Sequence, residues 1–246
     1  MMRSSNPTLT DAVFREEMTA TGEGTMTIQG TVNKTGLLLL CVVGAASWTW
    51  NGFFSGANVM PWMMVGMIGG LIMALITTFK KRTSHITAPL YALFQGVFLG
   101  ALSATFEAMY PGIVMQAVGL TFGTLFCLLG AYKSGMIKPT ENFKLGLAAA
   151  TGGIMIFYLV GFLFSMFGVH LNVFHGSGLL GIGFSLIVVA IAALNLVMDF
   201  DFIENGADAG APAYMEWYGA FGLMVTLIWL YIEILRLLAK LNSRGD

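Results

Sequence analysis

The sequence predicts an all-α membrane protein, a bundle of seven transmembrane helices, and three observations carry that prediction. The 246 residues are 57% hydrophobic and only 10% charged, against roughly 45–50% and 25% in soluble domains, and a soluble core cannot absorb that much apolar surface. The mean hydropathy of +0.78 is concentrated in unbroken runs near the roughly 20 apolar residues that cross a hydrocarbon layer about 30 Å thick. Those runs lack the alternating segments of about ten residues that mark a barrel, and helices are the other structure that satisfies its backbone groups in lipid.

Apolar runs between polar punctuation place the spans at roughly 35–54, 59–79, 88–106, 112–132, 145–167, 178–200 and 217–239. Residues 1–33 are polar, mixed in charge and rich in Thr, Glu and Gly, which predicts a disordered cytoplasmic segment ahead of a transmembrane domain over 34–246. The first apolar run starts too late and runs too long for a cleaved signal peptide, so the first span is retained. Pro61 opens the second span, Pro111-Gly112 opens the fourth, and Pro139 lies in the loop before the fifth. Gly66, Gly69 and Gly70 in span two, and Gly146, Gly152 and Gly153 in span five, predict close helix packing at both places. Cys41 and Cys127 fall inside apolar runs and read as packing residues rather than a disulfide.

Orientation follows from the short loops. Lys80, Lys81 and Arg82 lie between spans two and three, and Lys133, Lys138 and Lys144 between four and five, while the alternate loops carry no Lys or Arg. The basic loops and the amino terminus, with Lys34, are therefore expected in the cytoplasm. Full crossing of span seven would leave the carboxy terminus outside. Arg236, Lys240 and Arg244 pull the other way, which makes crossing or re-entry of that span the open point of the topology.

The net charge of −1 argues against nucleic acid, whose binders carry basic patches. There is no His-Glu-x-x-His zinc motif, no Gly-x-Ser-x-Gly elbow and no nucleophile paired with a base in the apolar spans. A non-enzymatic protein with no cofactor is the expectation. His170 and His175, with no Cys or carboxylate beside them, are too weak a signal for a metal site.

Charge inside a bilayer is costly, so intramembrane ionisable groups are candidates for function. They concentrate on the last two spans. Span six ends Asn195-Leu-Val-Met-Asp199-Phe-Asp201-Phe-Ile-Glu204, and span seven holds Glu233 and Arg236. Asp199 and Asp201 are two residues apart, about 200° around a helix, so one of them at most can face the bundle. Asp199, on the apolar side, is the candidate proton sensor; the alternative is an interfacial acid hydrated at a helix end. Glu233 either neutralises Arg236 three residues on, or lines an ion path with Thr226 two turns earlier and Asp201, a donor set suited to a hard cation such as Ca²⁺. Lys81, Arg82 or His85 is a possible latch for ionised Asp199, or these residues serve topology alone.

The stretches Asn195-Leu-Val-Met-Asp-Phe-Asp-Phe-Ile-Glu-Asn-Gly, Glu216-Trp-Tyr-Gly-Ala-Phe-Gly-Leu and Leu230-Tyr-Ile-Glu-Ile-Leu-Arg-Leu-Leu resemble the Bax inhibitor family, also called the transmembrane Bax-inhibitor-motif or YccA-like family, in its bacterial branch. Tyr91-Ala-Leu-Phe-Gln-Gly-Val-Phe-Leu-Gly and Tyr110-Pro-Gly-Ile-Val-Met-Gln-Ala-Val add to the likeness. The resemblance implies a seven-helix bundle with the last helix central, in the bacterial inner membrane, and a pH-sensitive calcium leak in which an acid on span six pairs with one on span seven. Asp199 matches the first acid. The second position falls on Thr226, and Gln95 stands where relatives carry Glu, so two ligand positions depart from the pattern. Some bacterial members that lack the span-seven acid are associated with restraining a membrane-bound quality-control protease. Two expectations follow: a pH-regulated leak for calcium or another cation, or a non-transporting regulator that binds a membrane protease complex through its helix surfaces and the polar amino-terminal segment.

Overall fold

The computed structural model describes residues 24–167 and 178–243. Within them the chain forms α1 (Ile28–Phe54), α2 (Met60–Phe79), α3 (Ser84–Met109), α4 (Ile113–Lys133), α5 (Glu141–Met166), α6 (Leu179–Asp208) and α7 (Met215–Asn242), with a single 3₁₀ turn at Lys81–Thr83. All seven are long and apolar enough to cross a membrane. The protein is an all-α, multi-pass membrane bundle.

Local chemistry sets the helix starts. Thr27, in extended backbone, caps α1 by accepting the Gly30 N–H at 2.9 Å. This moves the start of α1 seven residues ahead of the predicted span. Residues 24–27 are held too: the Met26 N–H donates to Ala211 O at 2.6 Å and the Ala213 N–H to Gly24 O at 2.8 Å. Helix α1 thus begins inside the polar segment over 1–33, where the capped first turn and these backbone bonds order residues 24–33 despite their polarity. Gly112, at φ +87°, makes the turn into α4. Glu107 then caps α4, accepting N–H bonds from Gly112 at 2.6 Å and Val114 at 3.0 Å. Thr140 caps α5 through the Phe143 N–H.

α7 is one unbroken helix that packs on α1, α3, α4 and α6, and it joins two core clusters. Leu223, Leu227 and Leu230 meet Leu196 and Phe200 of α6 and Ala117 of α4. Ala220, Phe221, Met224 and Ile228 meet Leu38 and Val42 of α1 and Tyr91 of α3. Because both faces of α7 are covered it is central, although α2 packs chiefly on α3, and α5 chiefly on α6. Both ends of α7 are pinned. At the amino-terminal end of the bundle Glu216 pairs with Lys34 and accepts from the N–H and hydroxyl of Thr27. At the far end buried Lys240 donates to Ser185 Oγ at 2.9 Å and Gly181 O at 3.2 Å on α6. Span seven thus runs the length of the bundle rather than re-entering, and one of its late basic residues is engaged by α6.

The glycine predictions divide. Backbone atoms of α3 lie 2.6 Å and 2.7 Å from where a Cβ on Gly66 would sit, and Phe94 and Gln95 fill the space facing Gly69 and Gly70. A Cβ added at Gly146, Gly152 or Gly153 would meet no described atom of another element within 4 Å, so span five is not closely packed at its glycines, and that expectation is corrected. A tight crossing not anticipated from sequence joins α1 to α3, where Gly96 and Gly100 meet the backbone of Val42 and Ala46 and the Thr49 hydroxyl donates to Val97 O at 3.1 Å.

Candidate functional site

Asp199 lies on the face of α6 that meets α7. A Cβ on Gly222 would stand 3.8 Å from Asp199 Oδ1, and one turn further the Thr226 hydroxyl is its hydrogen-bonding neighbour. The hydroxyl also lies 3.4 Å from Gly222 O, a long contact. Oδ2 of Asp199 is buried and has no hydrogen-bond partner among the described residues. Burying an ionised carboxylate without a partner costs several kcal/mol in an apolar interior. Among the described residues, Asp199 Oδ2 is the one buried side-chain oxygen or nitrogen with no hydrogen-bond partner at all.

The other acids are compensated. Asp201 projects away from α7, as the 200° rotation requires, and sits 2.9 Å from Lys144 Nζ on α5. Lys144 also lies 3.3 Å from Glu141. Glu233, only 2% exposed, accepts from Tyr158 OH at 3.0 Å and from Arg236 Nη1 at 3.1 Å and 3.3 Å. Arg236 also reaches the Tyr158 hydroxyl at 3.2 Å and lies over its ring at 5.6 Å. Glu233 and Arg236 do neutralise each other, with Tyr158 as a third member.

These contacts form a ladder. Lys144, Thr151 and Tyr158 recur every seven residues on α5, nearly two turns apart and so on one face. Each makes a polar contact across the seam: Lys144 with Asp201, Thr151 Oγ1 with the Asn195 amide at 2.9 Å, and Tyr158 with Glu233. Sequence reasoning gave Lys144 only a topological role and passed over Thr151 and Tyr158, although a polar heptad inside an apolar span was visible. The ladder joins α5, which has open space at three of its glycines, to the rest of the bundle.

The expected latch is not made. Lys81 Nζ lies 5.1 Å over the Tyr218 ring, and the His85 ring nitrogen meets Arg82 O at 3.2 Å. Lys81, Arg82 and His85 belong to the turn and first residues between α2 and α3, and none of them pairs with Asp199, whose hydrogen-bonding neighbour is Thr226. Asp201, expected on the ion path, is held by Lys144 at the amino-terminal end of the bundle. Two cavities flank the seam without reaching Asp199. One of about 430 Å³ is lined by Tyr132, Lys138, Asp201 and Glu204, and one of about 640 Å³ lies among α1, α3, α4 and α7. His170 and His175 lie outside the described residues.

An α7 that joins both core clusters, with an α6 acid seated against it, is the arrangement the family resemblance implies, and comparison with family patterns decides the matter. The Bax inhibitor 1 like family pattern matches residues 6–243. The chain belongs to that family. The match takes in all seven helices and also most of the polar amino-terminal segment. No curated protein and no solved structure matches the chain.

Proposed function

We propose that this Bax inhibitor family member is a proton-regulated cation leak, with calcium the expected ion, in the bacterial inner membrane with its amino terminus in the cytoplasm. The observation that carries the reading is the orphaned Oδ2 of Asp199 at the α6–α7 seam. With its proton on, Asp199 needs no cation beside it, and the seam stays closed around Gly222 and Thr226. With its proton off, the carboxylate must recruit water or a cation, because no cationic side chain among the described residues stands beside it. Hydration of the seam then joins it to the polar ladder of α5.

The route follows the residues that break the apolar interior: Asp201 at the amino-terminal end, Asp199 with Thr226 at the seam, and Glu233 about 10 Å further along α7. Oxygen ligands of this kind suit a hard divalent cation. Lys144 and Arg236 hold Asp201 and Glu233 in the resting arrangement and must yield for an ion to pass. The loosely seated α5 that carries Lys144 is the element able to do so. Because the latch is absent, the sign of the pH response is set by Asp199 alone: flux rises as pH rises. Purified protein reconstituted into vesicles holding a calcium-reporting dye tests the reading, with calcium entry above that of empty vesicles expected. Entry equal to that of empty vesicles at every pH contradicts it.

A further inference from the structure

The cavity of about 640 Å³ takes no part in the leak described above. Its size falls within the roughly 300–1,000 Å³ of small-molecule sites. Val42 and Ala46 of α1 and Val118 and Phe122 of α4 wall it, and Met224 and Leu227 of α7 floor it. Val43 and Met115, 59% and 76% exposed, stand at its α1 and α4 rims, so it opens sideways toward lipid rather than along the bundle axis.

The lining is graded along the membrane normal. On α1 it runs from Leu39 to Asn51, about 18 Å of helix, comparable with the roughly 15 Å half-thickness of a hydrocarbon layer. The deep part carries Leu39, Leu99 and Met224, and its one hydroxyl, that of Thr121, donates to Ala117 O of its own helix at 2.7 Å. The part nearest the far end of the bundle carries Asn51, Ser103, Glu107 and Tyr231. Trp48 and Trp62, packed edge to face at 5.0 Å, mark that end as the level of a membrane interface. An elongated cavity that is apolar at depth and polar at headgroup level has the profile of a lipid.

One hydrogen bond is also left to be made. The hydroxyls of Ser103 and Tyr231 lie 2.6 Å apart and share one hydrogen. Two hydroxyls hold two hydrogens, and the second has no acceptor among the described residues. The nearby carboxylate of Glu107 accepts from the N–H groups of Gly112 and Val114. Ser103 is 6% exposed, and a buried donor of this kind ordinarily finds a partner. The partner must come from what fills the cavity.

We propose that this cavity is a phospholipid site: an acyl chain enters between α1 and α4, and its ester carbonyl oxygen accepts the spare hydroxyl hydrogen of the Ser103–Tyr231 pair. The full chain, reconstituted in vesicles containing a phosphatidylcholine with a photoreactive diazirine on one acyl chain, tests this by irradiation and peptide mapping. Met224 and Leu227 are 1% and 4% exposed, so annular lipid does not reach them. Labelling of Met224 and Leu227 is expected to exceed labelling of Val188, Ala192, Leu196 and Val197 on α6, which are buried as fully. The exposed α5 residues Met155 and Phe162 give the annular reference. Ser103→Ala with Tyr231→Phe is expected to lower the α7 label about fivefold, the value of one neutral hydrogen bond, and Val118→Trp to abolish it, with the α5 label unchanged. The site is refuted if Met224 and Leu227 are labelled no more than Val188, Ala192, Leu196 and Val197. It is equally refuted if both variants leave the α7 label intact, or if a carbonyl-free alkyl detergent displaces the lipid as well as an unlabelled phospholipid does.

Discussion

Gly66→Ala tests the packing that seats α2, and its cost can be worked from the geometry. The added methyl would lie 2.6 Å from Phe94 O and 2.7 Å from Phe98 N, where ordinary contact begins near 3.4 Å. Both neighbours are backbone atoms of a helix and cannot rotate aside, so α2 must move off α3 by about 0.8 Å. Overpacking of this kind costs about 1–3 kcal/mol. Alanine returns up to about 1 kcal/mol of helix preference over glycine. The net expectation is destabilisation by about 1–2 kcal/mol, measured by reversible unfolding in mixed micelles with a helix-sensitive signal. Gly153→Ala is the matched control, because nothing lies within 4 Å of its added methyl and helix preference acts alone there, giving no loss or a gain of up to about 1 kcal/mol. Equal stability of the two variants would refute the reasoning, since helix preference alone predicts equality and the α2–α3 contact predicts a gap of about 2 kcal/mol.

Other expectations follow from the buried charges. Arg236→Ala leaves Glu233, 2% exposed, with Tyr158 as its remaining described partner, and is expected to cost about 3–5 kcal/mol in the same unfolding measurement. Adding Glu233→Gln should restore much of the loss; a double variant as unstable as the single one would show that the arginine acts through packing instead. Glu216→Ala removes the acceptor of both Thr27 and Lys34, so limited proteolysis ahead of α1 is expected to quicken severalfold while unfolding of the bundle shifts by no more than about 2 kcal/mol. Cleavage at the wild-type rate would mean that the backbone bonds of Gly24 and Met26 suffice to hold that segment.

Much of the fold was legible because lipid imposes a strong rule: unbroken apolar runs of membrane length become helices, and Pro and Gly mark their ends. The opposite directions of Asp199 and Asp201 followed from helix rotation alone. The pairing of Glu233 with Arg236 was one of two readings that their spacing allowed. Other features depended on tertiary neighbours that spacing does not reveal. Gly146, Gly152 and Gly153 have a small-residue pattern like that of Gly66, Gly69 and Gly70, yet among the described residues no neighbour lies within 4 Å of where their Cβ atoms would be. The start of α1 was missed because polarity is a poor guide where Thr27 supplies a cap and Ala211 and Ala213 supply backbone partners. The latch from Lys81, Arg82 or His85 rested on their lying at the same end of the bundle as the close of α6, and sharing an end does not bring side chains into contact. The ladder of Lys144, Thr151 and Tyr158 had a visible period, but its meaning depends on Asn195, Asp201 and Glu233 arriving opposite from two other helices.

The central claim is that the proton on Asp199 closes the α6–α7 seam, and calcium entry measured against pH in wild-type and Asp199→Asn vesicles tests it most directly. The amide retains a side chain of the same size and cannot ionise. Wild-type entry is expected to rise with pH, while Asp199→Asn stays low and flat. A variant that keeps the wild-type pH profile, or a wild-type profile that falls as pH rises, would contradict the account.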